Sequence, residues 1–132
     1  MHSRRVGDPY MTKAEAVYTF FSSFGIPAYE SGSVPDGAGF PRITYDLVAG
    51  DYGREISFSG SLWYRSDSLA AISGKTAEIA KKITLGGIIL PCDRGHIHLY
   101  CGTPWAQMTG DPTDDKIKRN LLNFRARFNT MP

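Results

Sequence analysis

The sequence predicts an α+β fold, in which a mostly antiparallel β-sheet of about four to five strands carries two helices on one face. Two patterns predict this architecture. Two segments repeat apolar residues with the period of a helix that has one buried side. The other ordered segments alternate apolar and polar residues, as strands of a half-solvated sheet do. A chain of 132 residues suits one domain, so we expect a loose N-terminal arm over 1–11 and a single domain over 12–132.

The first predicted helix runs from Thr12 to Phe24. Thr12 and Glu15 match a capping box, in which each side chain accepts a hydrogen bond from the backbone of the other residue. Gly25 and Pro27 follow the helix and end it. The apolar side of this helix is expected to comprise Val17, Phe20, Phe21 and Phe24.

A loop over 28–41 is rich in glycine and proline, and two antiparallel strands follow it over 42–48 and 55–65, joined by a turn at 50–53. The apolar faces of these strands comprise Ile43, Tyr45, Leu47, Ile56, Phe58, Gly60, Leu62 and Tyr64. The opposite face of the second strand comprises Ser57, Ser59, Ser61 and Trp63. Such alternation indicates a sheet with one buried and one solvated face.

The second predicted helix starts in the cluster 66–68 and ends at Gly86. Its buried side is expected to comprise Leu69, Ile72, Thr76, Ile79, Ala80 and Ile83. A hairpin then joins 88–90 to 96–101 through a three-residue turn at 93–95.

A second long loop is expected over 102–115, before a final strand over 117–130. The even side of that strand is apolar and comprises Leu122, Phe124, Ala126 and Phe128. Its odd side is polar and comprises Arg119, Asn123, Arg125 and Arg127. The final strand therefore contributes to both the core and the solvated face of the sheet.

Charge and composition exclude several classes of protein. The net charge of +2 is too small to indicate nucleic-acid binding by itself. No apolar run approaches the ~18 residues that a membrane span needs, and the first residues lack the apolar stretch of a secretory signal. We therefore expect a soluble intracellular domain whose two cysteines are free thiols.

Two motifs resemble binding sites without completing them. Gly74-Lys75-Thr76 ends like a phosphate-binding loop, but Leu69 stands where that motif needs its first glycine and the segment lies within a predicted helix. The side chains of Cys92, His96, His98 and Cys101 suggest zinc. Strand alternation places Cys101 on the opposite face from the two histidines, so we predict no metal site and no disulfide here.

Asp111, Asp114 and Asp115 cluster before the final strand. Such carboxylates serve acid–base chemistry or bind a hard cation, or else they cap the start of the strand and pair with Lys116, Lys118 or Arg119. We favour the structural interpretation, in which the aspartates cap the start of the strand and pair with nearby basic residues. No nucleophile elbow or His-Glu-x-x-His motif occurs, and we predict that the protein is not an enzyme and takes no cofactor.

The basic residues are concentrated at the chain ends, because 111–132 carries five basic and three acidic residues whereas 12–110 carries eight and nine. Arg119, Arg125 and Arg127 share one face of the final strand. That face suits phosphate, acidic residues of a neighbouring subunit, or solvent alone. The pattern does not choose among these three.

Several segments, in order, resemble small tail proteins of phages and prophages. They are Val34-Pro35-Asp36, Phe40-Pro41-Arg42-Ile43-Thr44-Tyr45, Ser61-Leu62-Trp63-Tyr64-Arg65-Ser66, Gly102-Thr103-Pro104-Trp105-Ala106-Gln107, Asp111-Pro112, Asp114-Asp115-Lys116-Ile117-Lys118-Arg119 and Leu122-Asn123. The chain is similar over about 12–130 to the tail terminator and neck proteins of long-tailed siphophages. The resemblance implies an α+β subunit of a hexameric ring that caps the tail tube, stops its polymerisation and meets the head connector.

This resemblance implies a homo-oligomer located in the virion neck and assembled in the host cytoplasm. Its partners would be the tail tube protein and the head connector or adaptor, with DNA passing transiently and non-specifically through the lumen and no contact with a membrane. Both long loops, 28–41 and 102–116, are candidate contact segments. As interface residues we expect the aromatic anchors Tyr29, Phe40 and Trp105, and the opposite charges of Asp111, Asp114 and Asp115 and of Arg119, Arg125 and Arg127.

Two alternatives stay open. A head–tail adaptor or completion protein is also structural and has a similar size and fold. A small enzyme or ligand- or metal-binding α+β domain would instead use the aspartates or the pair His96 and His98.

Overall fold

The computed structural model describes residues 10–132, in which one curled sheet of six strands carries two helices. The helices are α1 (Lys13–Ser22) and α2 (Ala70–Ile83). The strands are β1 (Ala28–Glu30), β2 (Arg42–Tyr45), β3 (Arg54–Arg65), β4 (Ile88–Cys92), β5 (Gly95–Gly110) and β6 (Ile117–Thr130). The order across the sheet is β1-β2-β3-β6-β5-β4. The α+β class is confirmed, but the sheet has six strands instead of four to five, and β1 pairs with β2 in parallel.

Helix α1 begins as the sequence predicts. Thr12 Oγ1 accepts from the backbone N–H of Glu15, and Glu15 Oε1 accepts from the backbone N–H of Thr12, both at 3.1 Å. The helix ends at Ser22, two residues before the predicted end. Phe24 is nevertheless buried with the rest of the predicted apolar side.

Replacing Thr12 with alanine is expected to lower the free energy of unfolding by ~1 kcal/mol, because the N–H of Glu15 loses its acceptor. Chemical denaturation measures this change. The matched control is Thr12→Ser, which keeps the hydroxyl and should retain most of the stability. Equal stability of Thr12→Ala and Thr12→Ser would show that the capping box contributes nothing.

Both helices pack on the same face of the sheet. Phe21 of α1 stacks on Tyr45 with ring centroids 4.6 Å apart and meets Phe124 edge-on at 5.3 Å. From α2, Thr76 Oγ1 accepts from Asn120 Nδ2 of β6 at 2.6 Å. The core therefore lies between the helices and the even side of β6, as the apolar pattern predicts.

Two residues predicted to be buried are exposed. Leu47 is 49% exposed because β2 ends at Tyr45, so the strand alternation no longer applies. Leu69 is 48% exposed because it is the N-cap of α2 and precedes the helical turns that face the core. The predicted buried side of α2 is otherwise confirmed for Ile72, Thr76, Ile79 and Ile83.

The hairpin between β4 and β5 is tighter than the sequence predicts. Cys92 pairs with Gly95 instead of His96, so the turn holds two residues, Asp93 and Arg94. Arg94 and Gly95 have positive φ angles of 66° and 147°. This backbone shape reverses the chain within two residues and shifts the pairing by one position.

The predicted long loop over 102–115 is wrong for most of its length, because β5 continues through Gly110. A register shift between Cys101 and Ala106 interrupts its pairing with β6. Gly102 and Pro104 lie within that shift, and such residues are typical of loops as well as of bulges. The other predicted loop, 28–41, begins with β1 and a 3₁₀ turn (Ser31–Ser33) and has no further helix or strand.

Most of the predicted N-terminal arm, 1–9, lies outside the described residues. Met11, at its end, is fully buried, and its carbonyl accepts from the backbone N–H of Asp93 at 2.6 Å. Met11 therefore belongs to the core and contacts the end of β4.

Candidate functional site

One face of the sheet carries no helix among the described residues, because α1 and α2 both pack on the other. We call it the polar sheet face. It comprises Ser57, Ser59, Ser61 and Trp63 of β3 and Arg119, Asn123, Arg125 and Arg127 of β6. The sequence predicts this grouping from strand alternation, and the register of β3 against β6 places the two rows side by side.

A row of arginines and aromatic rings crosses the polar sheet face. Register places Arg42, Trp63 and Arg119 on three adjacent strands. The guanidinium carbons of Arg42 and Arg119 lie 5.4 Å and 4.8 Å from the Trp63 ring centroid, and Arg42 also lies 4.6 Å from the Phe40 ring. Each contact has cation–π geometry, so the aromatic rings help to hold these charges in place.

Hydrogen bonds to uncharged acceptors fix this row further. Trp63 Nε1 donates to Thr44 Oγ1, and Arg119 Nε donates to Ser61 Oγ, both at 3.0 Å. Arg42 donates to the carbonyls of Ala38 and Gly39 at 3.1 and 3.2 Å, which ties the preceding loop to the sheet. The result is a preorganised cationic surface next to Phe40.

Arg125 and Arg127 lie toward the opposite end of β6 and are held more loosely. Arg125 is 3.9 Å from the Glu55 carboxylate and 5.7 Å from the Tyr100 ring centroid. Arg127 donates to the carbonyl of Gly53 at 2.9 Å. Because the ion pair of Arg125 is long and solvent-exposed, it contributes little to stability. Arg125 and Arg127 are both exposed, so their guanidinium groups are accessible to another molecule.

The three aspartates lie in the β5–β6 loop and form turns. Asp111 accepts from the hydroxyl and the backbone N–H of Thr113, and these hydrogen bonds hold the pKa of Asp111 below its ordinary value. Asp114 accepts from the backbone N–H of Lys116 at 2.9 Å and pairs with Arg65 at 2.7 Å.

Asp115 is exposed, and its backbone carbonyl accepts from Lys118. The structural interpretation of the aspartates fits this geometry, although the partner of Asp114 is Arg65 rather than the predicted Lys116, Lys118 or Arg119.

Two of the arginines predicted to complement the aspartates lie toward the opposite end of β6, whereas Arg119 lies close to the aspartates. Asp114 and Asp115 precede its first residue, Ile117, whereas Arg125 and Arg127 lie close to its end. Ten residues of strand span ~33 Å. Within one subunit Asp114 and Asp115 are too far from Arg125 and Arg127 to pair with them, and Asp114 pairs with Arg65 instead.

The predicted aromatic anchors divide between two places. Phe40 joins the arginine row, and Tyr29 of β1 pairs with Thr44, which puts it on the same face near that row. Trp105 instead packs edge-on against Phe124 at 5.2 Å, on the helix side of the sheet. Trp105 therefore supports the core and is only half exposed.

Three contributors were not among the predicted site residues: Arg42, Trp63 and Tyr100. The available signal was Trp63, a large aromatic residue on the polar side of an alternating strand. Arg42 and Arg119 flank Trp63 because of the register between strands. A local sequence pattern carries no information about that register.

The cysteines and histidines do not converge. Nε2 of His98 is 2.8 Å from the carbonyl of Gly86 and its Nδ1 is 2.8 Å from Tyr100 Oη, while His96 contacts Asn129. Both cysteines are free, and burial raises the pKa of each thiol. Across residues 10–132 no group of three or more His, Cys, Asp or Glu side chains is positioned to hold a metal ion.

The Gly-Lys-Thr segment lies within α2, as expected. Lys75 Nζ donates to the carbonyl of Phe24 at 2.8 Å, and Thr76 Oγ1 donates to the carbonyl of Ile72 at 2.8 Å. Both side chains therefore hold the helices in place, and the context that a phosphate-binding loop needs is absent from this segment.

Comparisons with protein-family models, curated proteins and solved structures find no match for this chain. Over the part of the chain that the structure describes, no helix combines the length and apolar character needed to cross a membrane.

Proposed function

We propose that the protein is a structural subunit of a phage neck, a tail terminator that forms a hexameric ring on the last ring of the tail tube. The proposal starts from the ordered set of sequence segments that resemble proteins of that class. The observation on the structure that supports it best is the exposure of Arg125 and Arg127 toward one end of β6, while Asp111, Asp114 and Asp115 lie beyond the other end.

A ring requires this kind of polarity. Each subunit of a closed cyclic assembly contacts the next through two different surfaces, which must complement each other. The aspartate end of β6 in one subunit can meet Arg125 and Arg127 of the next, because Arg125 makes only a long, exposed ion pair with Glu55 and Arg127 donates to a backbone carbonyl. The row around Trp63 then provides a second contact surface, toward the tail tube or the head connector.

Such a ring would work in the virion neck and assemble in the host cytoplasm, with DNA passing through its lumen. Passage requires weak contact, because tight phosphate binding would hinder sliding. A net charge of +2 per subunit supports weak contact at most.

The double variant Arg125→Glu/Arg127→Glu is expected to prevent ring assembly. Reversing the charges puts carboxylates opposite aspartates, and a loss of ~1.5 kcal/mol per contact weakens association by about tenfold or more. Native mass spectrometry measures the fraction of hexamer, and electron microscopy of particles made with the variant measures tail length.

The matched control is Arg54→Glu/Lys81→Glu, which reverses two exposed cations outside the polar sheet face. It should assemble normally. Hexamers and normal tails with Arg125→Glu/Arg127→Glu would rule out the assignment of these arginines to the ring contact.

Particles that lack the protein test the function itself. Overlong or headless tails support the terminator. Heads that stay unfilled or leak DNA would instead identify a head–tail adaptor, and a monomeric protein with a bound metal or ligand would refute both structural roles.

A further inference from the structure

Part of β5 is an open sheet edge. Strand β4 pairs with β5 only from Gly95 to Leu99. Beyond the register shift, the segment 106–110 pairs with β6 on one side and with no described strand on the other. We call residues 106–110 the edge segment. All of its residues except the half-buried Ala106 are exposed.

The direction of the hydrogen bonds shows which groups of the edge segment face outward. The carbonyls of Lys116, Phe128 and Thr130 accept from backbone N–H groups on the β3 side. Because backbone direction alternates along an antiparallel strand, the even residues of β6 bond toward β3 and the odd residues bond toward β5.

Leu121 and Arg119, opposite Gln107 and Thr109, are therefore the residues of β6 that bond the edge segment. The alternate residues of that segment are Ala106, Met108 and Gly110. Their N–H and C=O groups consequently point away from the sheet and are available to a further strand.

The other two edges are protected. In β4, Pro91 has no N–H to offer, and the backbone N–H that follows at Asp93 is bonded to Met11. At the far edge, β1 has only three residues, and Ala28 is 5% exposed. The edge segment carries no proline and no charged side chain, the usual devices that prevent pairing between edges.

We propose that the edge segment joins two copies of this chain as antiparallel strands about a two-fold axis. The backbone groups of all three outward residues form hydrogen bonds when Met108 lies opposite Met108 of the second copy and Ala106 lies opposite Gly110 of that copy. The segment is uncharged, so like charges do not meet across the axis. Pro104 on one side and Pro112 on the other limit the pairing to this length.

Charge complementarity favours a second copy as the occupant. The same register puts Asp111 of one copy beside Trp105 of the other. Trp105 lines a groove of about 490 Å³ that also contains Tyr100 and Arg125. The carboxylate of Asp111, which accepts hydrogen bonds from Thr113, would thus approach the accessible guanidinium of Arg125.

This contact is isologous and differs from the head-to-tail contact of a ring, so it does not rest on the proposed function. A two-fold contact and a ring contact coexist in assemblies with dihedral symmetry. Both contacts would involve Arg125, so the two-fold contact is tested at Met108, which has no part in the proposed ring contact.

Cysteine cross-linking tests the two-fold axis. In a Cys101→Ser background, Met108→Cys places two thiols opposite each other at the Cα separation that a disulfide accepts, about 5.5 Å. The control is Ile89→Cys, at a residue of similar exposure, 46% against 44%, on the protected edge. Mild oxidation should give covalent dimers of Met108→Cys only. Equal or no cross-linking of the two variants would overturn the proposal.

Removing one outward donor tests the hydrogen bonding. Met108→Pro deletes an N–H that is not bonded to β6, whereas Met108→Val keeps it and suits a strand. The two-fold contact should be lost in Met108→Pro and retained in Met108→Val, as measured by sedimentation of folded protein.

Hydrogen exchange in the unmodified chain gives a measurement that does not depend on any variant. The amides of Ala106, Met108 and Gly110 should become protected as concentration rises, while those of Gln107 and Thr109 stay protected throughout. Unchanged exchange at the three outward amides across the concentration range would refute the contact.

Discussion

Replacing Phe124 with alanine should lower the free energy of unfolding by ~4 kcal/mol, the largest effect that we expect from a single truncation in this core. Phe124 is 1% exposed and lies between rings from three elements. Its ring contacts Phe58 at 5.1 Å, Phe21 at 5.3 Å and Trp105 at 5.2 Å. The loss combines the transfer free energy of the ring with the cavity that rigid neighbours leave open. Urea denaturation measures the change.

Two controls separate cavity formation from a general effect of truncation. Phe124→Leu fills part of the volume and should cost less than Phe124→Ala. Leu85→Ala removes a side chain that is fully exposed and should leave stability nearly unchanged. A cost for Phe124→Ala below ~1 kcal/mol would contradict the central position of this ring.

Replacing Gly95 with alanine should lower the free energy of unfolding by ~3 kcal/mol, because the substitution is both strained and overpacked. Gly95 has a φ angle of 147°, which residues with a Cβ rarely adopt. An added Cβ would lie 2.0 Å from the backbone oxygen of Asn129, on the neighbouring strand β6. Relief of that overlap requires β5 to separate from β6 at the hairpin.

The matched control is Gly110→Ala, at the other end of the same strand. A Cβ there meets no atom within 4 Å, and φ lies outside the left-handed region. Thermal unfolding of both variants measures the difference. Similar melting temperatures for Gly95→Ala and Gly110→Ala would show that the hairpin adjusts without cost.

Local sequence patterns were sufficient for the elements that carry a strong period. The capping box placed the start of α1, and alternation placed β6 with the bounds that the structure has. Gly102 and Pro104 misled the prediction for β5. A bulge and a loop have the same local composition, and only the pairing of the flanking residues with β6 distinguishes them.

The candidate site was predictable only in part. Alternation assigned Arg119, Arg125 and Arg127 to one face, and the structure agrees. It could not show that Arg119 stacks on Trp63 while Arg125 stays accessible, because those contacts come from residues on other strands.

The sequence by itself determined the α+β class and the division of side chains between core and surface, because hydrophobic periodicity is local and records which face of each element is buried. Only the tertiary structure decided strand order, register and the open edge at 106–110. Those features arise from pairing between distant segments, whose free energy depends on which backbone groups already have partners.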